Sequence, residues 1–198
     1  INAVVFSPDG KYVLSASDDS LLKLWEAASG KEVRTYTGHE GAVNDCAFNE
    51  DGTQFVSASD DFSLRRWDVK TGAELMVMRG HTGPVKACAY SPKGKLIASS
   101  SKDSSVKLWD IETGRCRVTL SGHMDWVNRL AFSADGRKHV TASWDMNLKV
   151  WDVRKGTELL TLSGHLGAAV ACAFSDDGKR IVSGSFDSTL KIWDANEG

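Results

Sequence analysis

Apolar and polar positions along the chain alternate in short runs, not in long periodic stretches. Runs of four to seven residues carry β-branched and aromatic side chains, and each is closed by Gly, Asp or Ser. A first run ends in an aromatic residue, at Phe6, Phe48, Tyr90, Phe132 or Phe174, and a glycine turn follows at Gly10, Gly52, Gly94, Gly136 or Gly178. A second run, such as Val140-Thr141 or Ile181-Val182, stops at a Ser-x-Asp turn: Ser17-Asp19, Ser59-Asp61, Ser101-Asp103, Ser143-Asp145 and Ser185-Asp187. A third run ends at a Trp followed by an acid. A fourth, after Gly30, Gly72, Gly114 or Gly156, ends in Gly-His. Turn signals roughly 8–12 residues apart predict consecutive antiparallel strands. No stretch keeps a 3.6-residue period long enough for a helix of about 10–12 residues.

The order of runs itself repeats. Trp25, Trp67, Trp109, Trp151 and Trp193 are each 42 residues apart, and the Gly-His pairs ending in His39, His81, His123 and His165 keep the same step. The chain reads as one array, 1–198, of repeats 1–42, 43–84, 85–126, 127–168 and 169–198. A four-stranded unit of this size cannot bury both of its faces alone, whereas units stacked side by side can. The last repeat stops twelve residues short, a piece corresponding to residues 31–42 with one outer strand and one Gly-His loop. The expectation is four complete units and a fifth without its outermost strand, an edge open to self-association. Three arrangements stay open: a fragment of a larger ring, closure on itself, or several chains sharing one ring. The start at Ile1, with neither Met nor a signal peptide, fits a piece of something longer.

Gly-His followed by Trp-Asp resembles the WD40 repeat. Trp67-Asp68, Trp109-Asp110, Trp151-Asp152 and Trp193-Asp194 match it, and Trp25-Glu26 departs conservatively. The resemblance spans the whole chain and implies an all-β fold: a β-propeller of four-stranded antiparallel blades, about five here, in a family that usually closes with about seven. The uniform repeat length is also similar to self-similar arrays attached to large signalling proteins, including apoptosome-type and bacterial ATPases.

Each complete repeat carries a His, a hydroxyl, an Asp and a Trp: His39, Ser57, Asp61, Trp67; His81, Ser99, Asp103, Trp109; His123, Thr141, Asp145, Trp151; and His165, Ser183, Asp187, Trp193. Ser15, Asp19 and Trp25 form a set without its His. Ser, His and Asp are also the parts of a nucleophilic triad. Four equivalent copies around a ring, however, do not make one cleft with one oxyanion hole. The resemblance implies instead a structural tetrad in which His bridges hydroxyl and Asp and the hydroxyl reaches the indole N–H.

Cys46, Cys88 and Cys172 share one repeat position, too far apart across blades for a disulfide, and read as buried thiols of a reducing, cytoplasmic setting. Cys116 takes the place of Glu32, Glu74 and Glu158 on an outer strand and should be more exposed. No spacing suits a metal, and no cofactor is expected. His139 occupies the register of Val13, Phe55, Ile97 and Ile181, as a tolerated core histidine or a pH-sensitive weak point.

Departures from the repeat carry the functional information. Trp126 stands where Ala42, Pro84 and Ala168 stand, and Trp144 where Asp18, Asp60, Lys102 and Phe186 stand. The resemblance places both loops on one end of the propeller, the top, where the family binds partners, together with the position five residues after the His. That position holds Asn2, Asn44, Lys86, Asn128 and Val170. Around the ring the face runs from polar and acidic (Asn2, Asp18, Asn44, Asp60), through basic (Lys86, Lys102), to apolar (Trp126 and Trp144 flanked by Met124 and Met146) and then Leu166, Val170 and Phe186. Clustered Trp, Met and Phe are typical of protein recognition. Lys86 and Lys102 could face a phosphate or an acidic peptide, or be solvated charge. Asp45 and Arg129 replace alanines on the innermost strand, facing the central channel.

A net charge of −2, with 24 Lys and Arg against 26 Asp and Glu, lacks the basic excess of a nucleic-acid binder, and no apolar run is long enough for a membrane span. The expected function is a non-catalytic interaction scaffold for a protein or peptide. Two other classes remain: a regulatory sensor restraining an attached catalytic or ATPase domain, and an enzyme with its site on the propeller face.

Overall fold

A computed structural model describes residues 1–92 and 95–198, so Gly94, one of the expected turn glycines, lies outside the described residues. Those residues form nineteen strands. The first blade contains β1 (Ala3–Phe6), β2 (Tyr12–Ala16), β3 (Leu22–Glu26) and β4 (Glu32–Tyr36). The second contains β5 (Val43–Phe48), β6 (Gln54–Ser59), β7 (Ser63–Asp68) and β8 (Glu74–Arg79). The third contains β9 (Val85–Tyr90), β10 (Leu96–Ser101), β11 (Val106–Asp110) and β12 (Cys116–Leu120). The fourth contains β13 (Val127–Phe132), β14 (Lys138–Ser143), β15 (Leu148–Asp152) and β16 (Thr157–Leu162), and the fifth β17 (Ala169–Phe174), β18 (Arg180–Ser185) and β19 (Leu190–Asp194). Each blade is an antiparallel meander; four have four strands and the last has three. No helix among the described residues is long and apolar enough to cross a membrane.

The 42-residue step reappears as register. Val13, Phe55, Ile97, His139 and Ile181 pair with Trp25, Trp67, Trp109, Trp151 and Trp193. Successive side chains of a strand point to opposite faces. On β3, Leu22 and Leu24 therefore face the second blade while Trp25 turns away from it. The core lies between blades: Leu14, Leu22 and Leu24 of the first pack with Val43, Cys46, Phe55 and Trp67 of the second, and comparable clusters recur along the array. The innermost strands β1, β5, β9, β13 and β17 run side by side along the hub.

The blades form no closed ring. Leu190 and Ile192 of the fifth blade are exposed, whereas Leu148 and Val150, the same positions one blade earlier, are fully buried. Val4 and Phe6 of the first blade are likewise exposed, while Cys46, the counterpart of Val4, is buried.

Candidate functional site

In an antiparallel meander the turns alternate between two ends. The loops carrying Gly-His and the Ser-x-Asp turns therefore share one end, the top. Within each turn a serine hydroxyl reaches back to the Gly-His loop: Ser59 donates to the carbonyl of Gly41 at 3.0 Å, Ser101 to Gly83 at 3.0 Å, Ser143 to Asp125 at 3.1 Å and Ser185 to Gly167 at 2.9 Å. At Gly41 and Gly167 a side chain would collide with the backbone N of Asp61 and Asp187, at 2.9 and 2.8 Å. The fourth blade has Asp125 at this position, and the next residue is Trp126.

The structure brings all four tetrads together. His39 Nδ1 lies 2.7 Å from Asp61, His39 Nε2 lies 2.7 Å from Ser57, and the Trp67 indole N–H donates to Ser57 at 2.9 Å. The corresponding separations are 2.8, 2.7 and 2.8 Å around His81, 2.7, 2.7 and 3.0 Å around His123, and 2.9, 2.8 and 2.8 Å around His165. In the first blade Trp25 donates to Ser15 at 2.9 Å.

Each Asp also accepts the backbone N–H that follows the His, from Glu40, Thr82, Met124 or Leu166. Burial acts to raise the carboxyls of Asp61, Asp103 and Asp145. Hydrogen bonds from the facing His, with Ser63 and Ser105 helping the first two, outweigh it and hold them low, Asp145 at about 2. Asp187 is held low chiefly by Thr189. The order Asp–His–hydroxyl matches a catalytic relay, but Ser57, Ser99 and Thr141 are fully buried and Ser183 nearly so. A hydroxyl sealed in this way and already accepting an indole N–H has no room for a substrate; the network instead ties loop to blade.

On the same end, Trp126 and Trp144 form the centre of an aromatic ridge. The Trp144 backbone N–H donates to the Trp126 carbonyl at 2.9 Å, and their ring centroids are 4.9 Å apart, inclined at 52°. Phe186 of the fifth blade meets Trp144 edge-on at 5.7 Å, and the Lys102 ammonium of the third sits 4.0 Å over Trp126. The ridge thus crosses three blades. Trp126 and Trp144 remain 37% and 38% exposed, and Met124, Met146, Leu166 and Phe186 are exposed around them.

The polar side of the face is built differently. Asn2 donates to the Val43 carbonyl at 3.0 Å, Asn44 to Val85 at 2.9 Å and Asn128 to Val170 at 3.0 Å, so each amide stitches its blade to the next. Asn2 and Asn44 also donate to Asp18 and Asp60, at 2.7 and 2.6 Å. Lys86 points back to the Asn44 side-chain oxygen at 2.6 Å and to Asp60 at 3.7 Å. Sequence reasoning missed this asparagine ladder, although Asn at one repeat position was its signal. It also missed Phe62, exposed on the same end in the second blade.

His139 is wholly buried, stacked 6.2 Å from Trp151 and tilted against Phe132 at 5.7 Å, much as Phe55 lies between Trp67 and Phe48. Neither ring nitrogen has a hydrogen-bond partner among the described residues, and burial pushes its pKa down to about 3. Cys46 and Cys88 are buried, Cys172 is half-buried and Cys116 is exposed, all as free thiols. Among the described residues no three His, Cys, Asp or Glu side chains converge as metal ligands.

Similarity to named proteins is segmental. The chain is 50% identical over 36 residues to "Ribosome assembly protein 4" of Saccharomyces cerevisiae, covering 18% of this chain and 7% of that protein. It is 46% identical over 41 residues to "Notchless protein homolog" of Arabidopsis thaliana, covering 21% and 9%, and 45% identical over 47 residues to "WD repeat domain-containing protein 83" of Homo sapiens, covering 24% and 15%. The matched segments thus span well under a fifth of these relatives. The profile of the family described as "WD domain, G-beta repeat" matches residues 1–26, 30–68, 72–110, 114–152 and 156–194, each match after the first taking the outer strand of one blade and three strands of the next, and the chain belongs to the WD40 family.

Proposed function

We propose that this chain is a non-catalytic interaction module that captures a partner protein or peptide on its top face, through the Trp126–Trp144 ridge. The family and the names of its relatives favour scaffolding in general. The observation that carries the specific reading is the ridge itself: two half-exposed tryptophans, braced by a backbone hydrogen bond and flanked by Phe186, Met124, Met146 and Leu166. Aromatic and methionine side chains presented together on a rigid support are the usual anchors of protein interfaces. An apolar patch of this kind on a folded surface calls for a partner. The proposal assigns Asn2, Asn44, Asn128, Asp18, Asp60, Lys86, Lys102 and Val170 to the polar and basic surround of that patch. It places the protein in a reducing, cytoplasmic setting and gives it neither nucleic acid nor membrane as partner.

Affinity capture with the double variant Trp126→Ala/Trp144→Ala tests the proposal. Loss of partner capture with an almost unchanged melting temperature is the expected result. Retained capture would remove the ridge from the interface, and a collapsed melt would make the tryptophans part of the core.

A further inference from the structure

The end opposite the tryptophan ridge carries a second departure from the repeat. Between the third and fourth blades lies a groove rimmed by Lys95, Arg117, Arg137, Arg154 and Lys155, with Asp152 its one carboxylate. All five cations are exposed. Two of them, Arg117 and Lys155, have no cationic counterpart in the other repeats. Arg117 stands where the other outer strands have Val33, Leu75 and Leu159, and Arg154 stands where Ala28, Lys70, Glu112 and Asn196 stand. Lys155 likewise replaces Ser29, Thr71, Thr113 and Glu197. Lys95 and Arg137 share a position that is also cationic at Lys11 and Lys179, and Lys70 matches Arg154, so Arg117 and Lys155 are what set this boundary apart.

Their charge is only partly answered from within. Arg117 bonds Asp110, and Arg137 reaches Asp135 at 3.9 Å with both side chains exposed, a contact of little strength. Lys95, Arg154 and Lys155 have no ion pair among the described residues. Asp110 and Glu112 border the groove beyond Lys95 and Arg117, so the unanswered charge centres on Arg137, Arg154 and Lys155. The floor is apolar, with Leu108, Val118 and Val153 between the two blades. The two blades also approach closely here: a side chain at Gly156, where φ is +65°, would come within 2.7 Å of Val118.

From this arrangement we infer that the groove between the third and fourth blades docks an acidic peptide segment, with an apolar side chain set on the floor and Asp or Glu carboxylates on the arginine and lysine rim. Arginine forks donate bidentately to carboxylates, which suits side chains reaching out from an extended segment. Nucleic acid fits less well, because the groove has no aromatic side chain for base stacking and the chain as a whole is acidic. The site lies on the other end from the ridge, so the inference stands independently of the proposed top-face function.

The test is fluorescence anisotropy with the whole chain and a labelled short peptide in which Glu and Asp flank one Leu. Binding should weaken as salt is raised. It should fall about tenfold with Arg154→Glu and again with Arg117→Leu, each substitution removing a charge-assisted contact. Arg117→Leu keeps the fold, since Leu75 and Leu159 occupy that position in neighbouring blades. Trp126→Ala/Trp144→Ala should leave this binding unchanged, which separates the result from the fate of the ridge. The inference is overturned by no binding at about 1 mM protein, by equal binding of the Gln/Asn version of the peptide, or by affinity indifferent to both substitutions. Tighter binding of a single-stranded oligonucleotide or of phosphatidylserine vesicles through the same arginines would also overturn it.

Discussion

Asp45 of the second blade and Arg129 of the fourth meet at 3.2 Å, bridging the third blade along the hub. The same Asp45 oxygen accepts the Cys88 backbone N–H at 3.1 Å, so one carboxylate joins three consecutive inner strands. Burial pushes the Asp45 carboxyl up, against the pull of Arg129 and of the Cys88 and Cys46 backbone. Alanine fills these register positions in the other blades, at Ala3, Ala87 and Ala171. Removing Arg129 alone strands a half-buried carboxylate; removing both restores what the other repeats tolerate. Arg129→Ala should therefore cost about 1–3 kcal/mol at pH 7, discounted for the partial exposure of the guanidinium. Asp45→Ala/Arg129→Ala should recover most of that loss in chemical denaturation. Additive losses in the double variant would show that the two side chains do not act as a pair.

The tetrads make a second prediction, on stability. His81→Ala leaves Asp103 and Ser99 short of a partner in a buried place and should cost about 1–3 kcal/mol in a thermal or urea melt. A melt indistinguishable from the parent would contradict a tethering role. The paired carboxylates also set an acid limit. Asp61, Asp103 and Asp145 have folded pKa values below their unfolded ones, so their contribution is present above about pH 4 and is lost as pH falls through the depressed values. With Asp145→Asn, the stability lost between pH 4 and pH 2 should shrink.

The blades and tetrads were legible in the sequence because they are local and repeated. Ser57 and Trp67 face each other across one hairpin, and fixed offsets of 18 and 22 residues set His39 against Ser57 and Asp61, an arrangement repeated at His81, His123 and His165. The Asp45–Arg129 pair was not legible: it joins positions two repeats apart, and only the curvature of the hub brings their side chains together. The asparagine ladder escaped for a related reason. The repeat places Asn2, Asn44 and Asn128 on the top end, but not the turn of the amide toward the next blade's carbonyl. Lys102 was readable as a ligand-facing charge, yet it lies over Trp126, a contact set by the height of two different loops.

His139 gives a third prediction, with the opposite origin and a higher pH window. Its folded pKa, about 3, lies below the ordinary histidine value of about 6.5. Between these limits the unfolded chain binds a proton that the folded chain refuses, so stability falls as pH falls from about 6.5. The loss approaches about 2 kcal/mol by pH 5. His139→Phe places in the fourth blade the residue that Phe55 supplies in the second, and should flatten stability between pH 7 and pH 5. If the variant keeps the parent's slope across that range, the acid sensitivity arises elsewhere.

The residue after the Asp of each Ser-x-Asp turn gives the last prediction, and it concerns function as much as stability. Ser20, Phe62, Ser104, Met146 and Ser188 all have φ between 64° and 69°, a left-handed conformation that costs a residue with a β-carbon about 1–2 kcal/mol. Serine tolerates the turn in three blades; the second and fourth hold large apolar side chains there, exposed on the top end. Persistent strain that a glycine would relieve is a reason to look for a role in the side chain itself. Met146→Gly should raise stability by about 0.5–1 kcal/mol, since relief of the strain is partly offset by glycine's greater freedom in the unfolded chain. In the same variant, partner capture at the adjoining Trp126–Trp144 ridge should weaken. Phe62→Gly, two blades away, should give a comparable gain in stability while leaving that capture intact. Equal losses of capture in both variants would spread the interface across the whole top face, and a gain in stability with no loss of capture at Met146 would confine it to the aromatic rings.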